Sequence, residues 1–129
     1  MNASGRIALV VVTLSLMVPA TEEPAYAGTE DCPATRFCAW VDTHFRPQGL
    51  PYSNAAADED WPSTIANMDD SHYNHGTAGL AALRTYTGIN FSGTVISCLP
   101  EGLAAPLVTP DDSGDSHRWS STACSNPGG

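Results

Sequence analysis

The chain has 129 residues, with 5 basic and 14 acidic side chains and a formal net charge of −9 at pH 7. None of the basic residues is a lysine. A surface of this charge repels nucleic-acid phosphates and anionic lipids, so we expect neither a nucleic-acid nor a membrane partner. It attracts cations and basic protein surfaces.

The first 27 residues have the composition of a secretory signal peptide. Residues 1–6 carry one arginine, residues 7–18 are almost entirely apolar, and residues 25–27 form a small-x-small cleavage site. The apolar run is too short for a membrane span. We therefore expect cleavage after Ala27 and an exported domain of residues 28–129, long enough for one small core and expected to be a monomer.

Four cysteines follow the predicted cleavage site, at Cys32, Cys38, Cys98 and Cys124. An even number in an exported protein indicates disulfides, and no C-x-x-C spacing suggests a zinc or redox site. The sequence leaves three pairings open. We prefer Cys32–Cys38, which closes a tight loop, and Cys98–Cys124, which ties the C-terminal tail to the fold.

The apolar runs after residue 28 have the length of strands. They cover residues 37–41, 82–83, 94–99 and 103–108, with prolines and glycines between them. This pattern predicts an all-β sandwich or barrel. Residues 78–83 could alternatively form one helical turn, although a glycine within them disfavours it.

A hairpin motif occurs twice. Tyr86 and Phe91 are two aromatics separated by four residues and followed by Gly93; we expect Tyr86 to cover the turn and Phe91 to re-enter the sheet. Trp40 and Phe45 repeat the aromatic spacing 46 positions earlier. The tripeptide Asp-Ser-His at residues 70–72 also recurs 45 positions later, at 115–117, so the domain is predicted to contain two copies of one unit.

Each copy resembles a βγ-crystallin Greek key. Tyr86, Phe91 and Gly93 match the folded hairpin of that family, whereas the glycine after Phe45 comes two residues late, at Gly49. The resemblance implies a β-sandwich of two Greek keys, the first at about residues 32–76 and the second at about 77–124. It also implies calcium loops at residues 66–71 and 111–116, where aspartate replaces the usual hydroxyl residue and Ala66 replaces the first acidic position.

Calcium is therefore the expected cofactor, if there is one. Asn67, Asp70, Asp112 and Asp115 supply oxygen ligands at equal spacing in both loops, and Greek-key pairing would bring the loops together. The alternative is that both loops are Asx turns without metal, in which the acidic side chains cap backbone N–H groups.

The chain also resembles the secreted bacterial peptidase inhibitors typified by the streptomycete metalloproteinase inhibitor. The segments that carry this resemblance are residues 32–40, 74–77 and 116–119. It implies an extracellular protease as partner, with metalloproteases first. Residues 46–61 and 100–110 are the candidate contact loops because they are long, polar or proline-containing and lie between predicted strands; the alternative is that both only connect strands. The alternative is a calcium-binding structural or stress protein without a protease partner.

Catalysis and histidine-based metal binding have little support. His72, His75 and His117 could hold zinc or copper, but His72 and His117 occupy equivalent repeat positions, which favours a shared structural role. Ser-His neighbours on a strand point to opposite faces, and no catalytic motif is present, so we expect no enzyme. Trp61, among acidic residues and a proline, is either an exposed partner anchor or a buried corner residue.

Overall fold

The computed structural model describes residues 27–76 and 79–125. The predicted signal peptide, apart from its last residue, lies outside this range. The described part contains only β-strands, short 3-10 turns and loops, and none of its elements is a helix long and apolar enough to cross a membrane. The elements are β1 (Arg36–Trp40), β2 (Tyr52–Asn54), β3 (Ser71–His75), β4 (Ala82–Tyr86), β5 (Val95–Leu99), β6 (Ala104–Ala105) and β7 (Ser116–Ser120), with 3-10 turns at Thr29–Asp31 and Ile89–Phe91.

Two antiparallel sheets form the all-β fold. One has the strand order β2-β1-β3-β6 and the other has the order β5-β4-β7. The predicted apolar runs at 37–41, 82–83 and 94–99 coincide with β1, β4 and β5. The helical turn is not formed at Ala82 and Leu83, because both belong to β4 and their backbone pairs with β7.

The predicted strand at residues 103–108 is wrong for most of its length. Only Ala104 and Ala105 pair, with Tyr73 and His72 of β3. Pro106 has no N–H to donate to a ladder, and Leu107 is 55% exposed. Val108 instead packs with Ile96 and Leu99.

The two halves repeat each other in backbone structure. β4 lies 46 positions after β1, and β7 lies 45 positions after β3. The N–H of Asp70 donates to the Trp40 carbonyl at 2.9 Å, and the N–H of Asp115 donates to the Tyr86 carbonyl at the same distance. In each half the last strand therefore returns beside the first, as the predicted repeat requires.

The halves also exchange pairing between the sheets. β6, from the second half, pairs with β3 of the first half, and Asp58 of the first half forms an isolated bridge with His117 of β7. Each half therefore completes the sheet of the other. The acidic loops lead into the first residues of β3 and β7, next to these two contacts.

A buried serine closes each hairpin. Ser71 Oγ accepts from the Phe45 N–H and donates to the Asp42 carbonyl, at 3.0 and 2.7 Å. Ser116 Oγ makes the equivalent bonds to the Phe91 N–H and the Gly88 carbonyl, at 3.1 and 2.6 Å. The matching serines explain why the Asp-Ser-His tripeptide recurs with the hairpin.

The prediction that Phe91 re-enters the sheet is wrong. Phe91 ends the 3-10 turn Ile89–Phe91 with a positive φ of 57°, and β5 begins only at Val95. Its ring lies 6.0 Å from that of Tyr86, so the two aromatics cover the turn together. Gly93 has a φ of +79°, in the left-handed region that favours glycine.

The core lies between the sheets and is rich in aromatic rings. Phe37, fully buried, stacks on Trp61 at 5.7 Å between ring centroids and also contacts His72 and His117. Trp61 is only 3% exposed, so it is the buried corner residue and not a partner anchor. The acidic neighbours suggested exposure, but they lie on the loop surface while the indole points inward.

Two disulfides fasten the ends of the fold. They join Cys32 to Cys38 and Cys98 to Cys124, which are the pairs preferred from the sequence. Cys32 and Cys38 pack in a buried cluster with Trp40 and Phe45, so the first bridge supports the first hairpin.

Candidate acidic loops and inhibitory loops

The two acidic loops meet as a symmetric pair. The Asn67 N–H donates to the Gly114 carbonyl, and the Asp112 N–H donates to the Asp69 carbonyl, both at 2.8 Å. Asn67 and Asp112 both have positive φ angles, 54° and 52°. Because these residues are 45 positions apart, the contacts are equivalent under the repeat. The predicted meeting of the loops at one end of the fold therefore occurs in the structure.

The four predicted calcium ligands separate into two pairs, each with one residue from each loop. Asn67 Nδ2 donates to Asp115 Oδ1 at 2.7 Å. Asp70 lies with Asp112 on the other side, and carboxylate oxygens of Asp70, Asp111 and Asp112 all lie within 4.8 Å of one another. Asp111 was not among the predicted ligands, although it occupies the first acidic position of the loop pattern.

The three-carboxylate cluster has the electrostatics of a cation site. Burial raises the pKa of Asp70 to about 6, with further contributions from the negative charges of Asp112 and Asp111. Asp70 Oδ1 is buried and accepts no hydrogen bond from any residue that the structure describes. Calcium binds oxygen ligands of this kind, and a cation would offset the repulsion, so these residues fit calcium.

The second pair is a poorer donor set. Ala66 stands where Asp111 stands in the other loop, so this pair has one carboxylate, Asp115, one amide, Asn67, and no acidic side chain at the equivalent third position. The pKa of Asp115 is raised by burial and by Asp60 and Asp69, and the Asn67 hydrogen bond opposes the rise. The two loops therefore offer one site richer in charge and one poorer.

The histidines serve as buried hydrogen-bonding groups. His72 Nδ1 lies 2.8 Å from Ser97 Oγ, and its Nε2 lies 2.7 Å from Asp69 Oδ2. His117 Nδ1 accepts from the Trp61 indole N–H at 2.8 Å, and its Nε2 donates to the Ala56 carbonyl at 2.9 Å. Burial lowers the pKa of His117 to about 4, so its ring is neutral at pH 7.

His75 lies apart from both, with Nδ1 2.9 Å from the Cys32 carbonyl. Within residues 27–76 and 79–125, the three-carboxylate cluster is the one metal-competent group of at least three His, Cys, Asp or Glu side chains, and it contains no histidine. Ser71 and Ser116 hold hairpins and lie in strands beside His72 and His117. Neither Ser-His neighbour forms a nucleophile–base hydrogen bond.

Asp69 is a structural residue of the acidic loops that the sequence did not single out. It is fully buried, and its Oδ1 accepts from the Gly114 N–H at 2.6 Å while its Oδ2 lies against His72. One carboxylate thus joins β3 to the opposite acidic loop. The only signal in the sequence is its position opposite Gly114 in the repeat, and that glycine leaves the space that the carboxylate occupies.

The first candidate contact loop projects from the base of the first hairpin. Residues 46–50 are all exposed, and Leu50 is 76% exposed. The Gly49 N–H donates to Asp31 Oδ2 at 2.6 Å, and Asp31 directly precedes the disulfide-bonded Cys32. Beyond residue 51 the predicted range continues into β2 and ends at the buried Trp61, so only its beginning projects.

The second candidate loop lies against the sheet. The Gly102 N–H donates to the Asn74 carbonyl at 2.7 Å, and the Val108 N–H donates to the Asp70 carbonyl at 2.8 Å. Leu103 and Leu107 are 40% and 55% exposed. Its side chains are accessible, but much of its backbone is already paired.

Comparisons with solved structures show the fold. A structure described as "Evolution of the eye lens beta-gamma-crystallin domain fold" matches with a TM-score of 0.56 and 17% identity, over 70% of this chain and 91% of the other. A βγ-crystallin from Ciona intestinalis matches with a TM-score of 0.51 and 16% identity, over 65% and 98%. One from an archaeon matches with a TM-score of 0.52 and 19% identity, over 67% and 99%. The chain therefore has a βγ-crystallin-like fold.

Comparison of the sequence with family models and curated proteins gives a different kind of information. A search of curated proteins finds no match. The model of peptidase inhibitor family I36 matches residues 25–98, more than half of the chain and the segment that contains the first hairpin, the first acidic loop and β4. Together with the βγ-crystallin-like fold and the two disulfides, this match shows that the chain belongs to peptidase inhibitor family I36.

Proposed function

We propose that the protein is an exported inhibitor that binds and blocks an extracellular peptidase. The observation that carries this proposal is the match to peptidase inhibitor family I36 over residues 25–98. The two disulfides suit an oxidising compartment, which agrees with export. Metalloproteases are the first class to test, because the segments at 32–40, 74–77 and 116–119 resemble the streptomycete metalloproteinase inhibitor.

The fold suits inhibition by rigid loops. A peptidase binds an extended segment of its target, and a segment that is already ordered loses little conformational entropy on binding. Here Cys32–Cys38 and the hairpin serine Ser71 fix the base of the projecting loop before any partner arrives. A binding role also accords with the chemistry of the described residues, whose buried histidines all serve structural hydrogen bonds.

The test is an inhibition assay with purified protein of residues 28–129. Thermolysin-like, subtilisin-like and trypsin-like enzymes are titrated with the native and the reduced protein. We expect inhibition of at least the thermolysin-like enzyme at micromolar protein, and its loss after reduction. Full activity of all three enzymes with natively folded protein would contradict the proposal.

A calcium-stabilised structural or stress protein is the second candidate. The observation that favours it is the cluster of Asp70, Asp111 and Asp112, which brings three carboxylates from two loops together. Bound calcium would supply positive charge that draws the loops together, and its ligands would be these carboxylates. Calcium at about 100 times its dissociation constant stabilises a folded protein by about 2.7 kcal/mol.

Thermal melts in calcium and in chelator test this candidate. We expect a higher melting temperature in 10 mM calcium, and no difference for Asp70→Ala. Asp31→Ala is the matched control, because Asp31 is an aspartate remote from the cluster in sequence, and it should keep the calcium response. Identical melts of the wild type under both conditions would leave the loops as Asx turns without metal.

A further inference from the structure

We propose that Leu50 enters the apolar specificity pocket of the target peptidase, with residues 46–51 lying in its active-site cleft. This inference rests on the proposed inhibitory function and names the part of the surface that performs it. The partner is a peptidase whose main side-chain pocket accepts a large aliphatic residue.

Exposure singles out Leu50. It is 76% exposed, more than any other large apolar side chain among the residues that the structure describes. Residues 46–49, which precede it, are exposed as well, so a cleft can reach the loop from the outside. A leucine in this position contributes little to the fold, but its burial in a partner pocket is favourable.

Both ends of the loop are held by the fold. On the N-terminal side, Phe45 is fully buried, and the Asp42 N–H donates to the Arg46 carbonyl at 3.0 Å. On the C-terminal side, β2 starts at Tyr52 and pairs with Ala39 of β1. The loop therefore leaves and re-enters the sheet at fixed points.

The middle of the loop has its own anchor. The Gly49 N–H donates to the Asp31 carboxylate, a charge-assisted bond of 2.6 Å. Gly49 has a φ of +81°, which glycine adopts without strain. Pro47 and Pro51, on either side of this anchor, restrict the backbone further. Leu50 is thus presented in one conformation next to the Cys32–Cys38 bridge, and little freedom is lost on binding.

The other candidate loop fits this role less well. The Leu103 N–H donates to the Pro100 carbonyl, and the Pro106 carbonyl accepts from the His44 N–H at 2.8 Å. These backbone groups are not available to pair with the strand-like cleft of a peptidase. Leu107 nevertheless has an exposed side chain, which makes it the matched control for Leu50.

The sequence around Leu50 also separates two ways of binding. If the peptidase binds Leu50 in the pocket on the leaving-group side of the scissile bond, the Gly49–Leu50 amide lies at its catalytic centre. If the peptidase binds Leu50 in the pocket on the acyl side, the Leu50–Pro51 bond lies at its catalytic centre instead, and the nitrogen of this bond carries no hydrogen. In slow hydrolysis, water adds across the cleaved bond, leaving a carboxylate on the acyl residue and an amine on the next one.

The test compares Leu50→Ala, Leu50→Glu and Leu107→Ala against a peptidase that the wild type inhibits. Because Leu50 is largely exposed, its variants should melt close to the wild type. We expect the inhibition constant to rise about 10- to 100-fold for Leu50→Ala, as for loss of a buried leucine side chain, and further for Leu50→Glu. Leu107→Ala should inhibit as well as the wild type.

Asp31→Asn tests the anchor separately. It should leave the melting temperature nearly unchanged but accelerate cleavage of the loop during long incubation, with mass spectrometry locating the cut beside Leu50. If the wild type inhibits and both Leu50 variants inhibit equally well, the loop assignment is wrong while the inhibitory function stands. If the folded wild type inhibits no peptidase, both proposals fail.

Discussion

The buried carboxylate of Asp69 offers the sharpest test of how the two halves are held together. Asp69 is fully buried and contacts two groups that are also buried, His72 Nε2 at 2.7 Å and the Gly114 N–H at 2.6 Å. In Asp69→Ala both lose this partner, and each buried polar group left without a partner costs about 1–3 kcal/mol. The void left by the carboxylate adds to this cost.

The expected loss is therefore at least about 3 kcal/mol. For a domain of this size it corresponds to a fall of roughly 12–24 °C in melting temperature. The measurement is a thermal melt by circular dichroism in chelator, so that calcium does not contribute. Asp69→Asn should lose less, because its amide oxygen still accepts from Gly114 and its nitrogen can donate to His72.

Asp111→Ala is the control, because this aspartate is exposed in the equivalent acidic loop and aligns with Ala66 in the repeat. It should melt within a few degrees of the wild type. An Asp69→Ala variant that melts as high as Asp111→Ala would refute the reasoning, since the carboxylate would then not be joining β3 to the opposite loop.

Three further predictions concern stability. Replacing both cysteines of the Cys98–Cys124 bridge with alanine should lower the free energy of unfolding, measured with denaturant, by about 3 kcal/mol. The same change at Cys32–Cys38 should lower it by about 2 kcal/mol, because Cys98–Cys124 closes the longer loop. Leu83→Ala should lower the free energy of unfolding by about 2–5 kcal/mol because this side chain is fully buried, whereas Leu107→Ala should change it little because Leu107 is half-exposed. In chelator at pH 7, Asp70→Asn should raise the melting temperature. The pKa of the folded carboxyl is raised to about 6, so its ionised form destabilises the fold. The wild type should therefore become less stable as pH rises from about 4 through 6, and the gain of the variant should vanish near pH 4.

The repeat explains how much of the fold could be predicted from the sequence. Trp40 and Tyr86 end equivalent strands, and Asp70 and Asp115 begin equivalent returns, because each half repeats the same local hydrogen bonds. A local pattern that occurs twice is visible in the chain itself. The disulfide pairing followed from similar local reasoning, since one bridge spans 6 residues and the other ties a free tail.

Part of the acidic site was also predictable. Equal spacing in the two loops indicated that Asn67, Asp70, Asp112 and Asp115 would meet, and they form two cross-loop pairs. Asp111 occupies the first acidic position of the loop pattern, but the sequence did not indicate that it would join Asp70 and Asp112, because the three carboxylates converge only through the way the loops fold over each other. The sequence showed at Ala66 that the two loops differ, but it did not show that one cross-loop pair would carry more negative charge than the other.

Only the tertiary structure decided which polar and aromatic residues are buried. Trp61 is buried where its indole N–H donates to His117, which lies 56 positions away in β7. Asp69 is buried because Gly114, 45 positions away, leaves room for it. Leu50 is 76% exposed because its loop leaves the sheet where none of residues 27–76 and 79–125 covers it. Local sequence determined the strands, the repeat and the loops that could bind; contacts between distant segments determined which side chains those loops bury and which one they present.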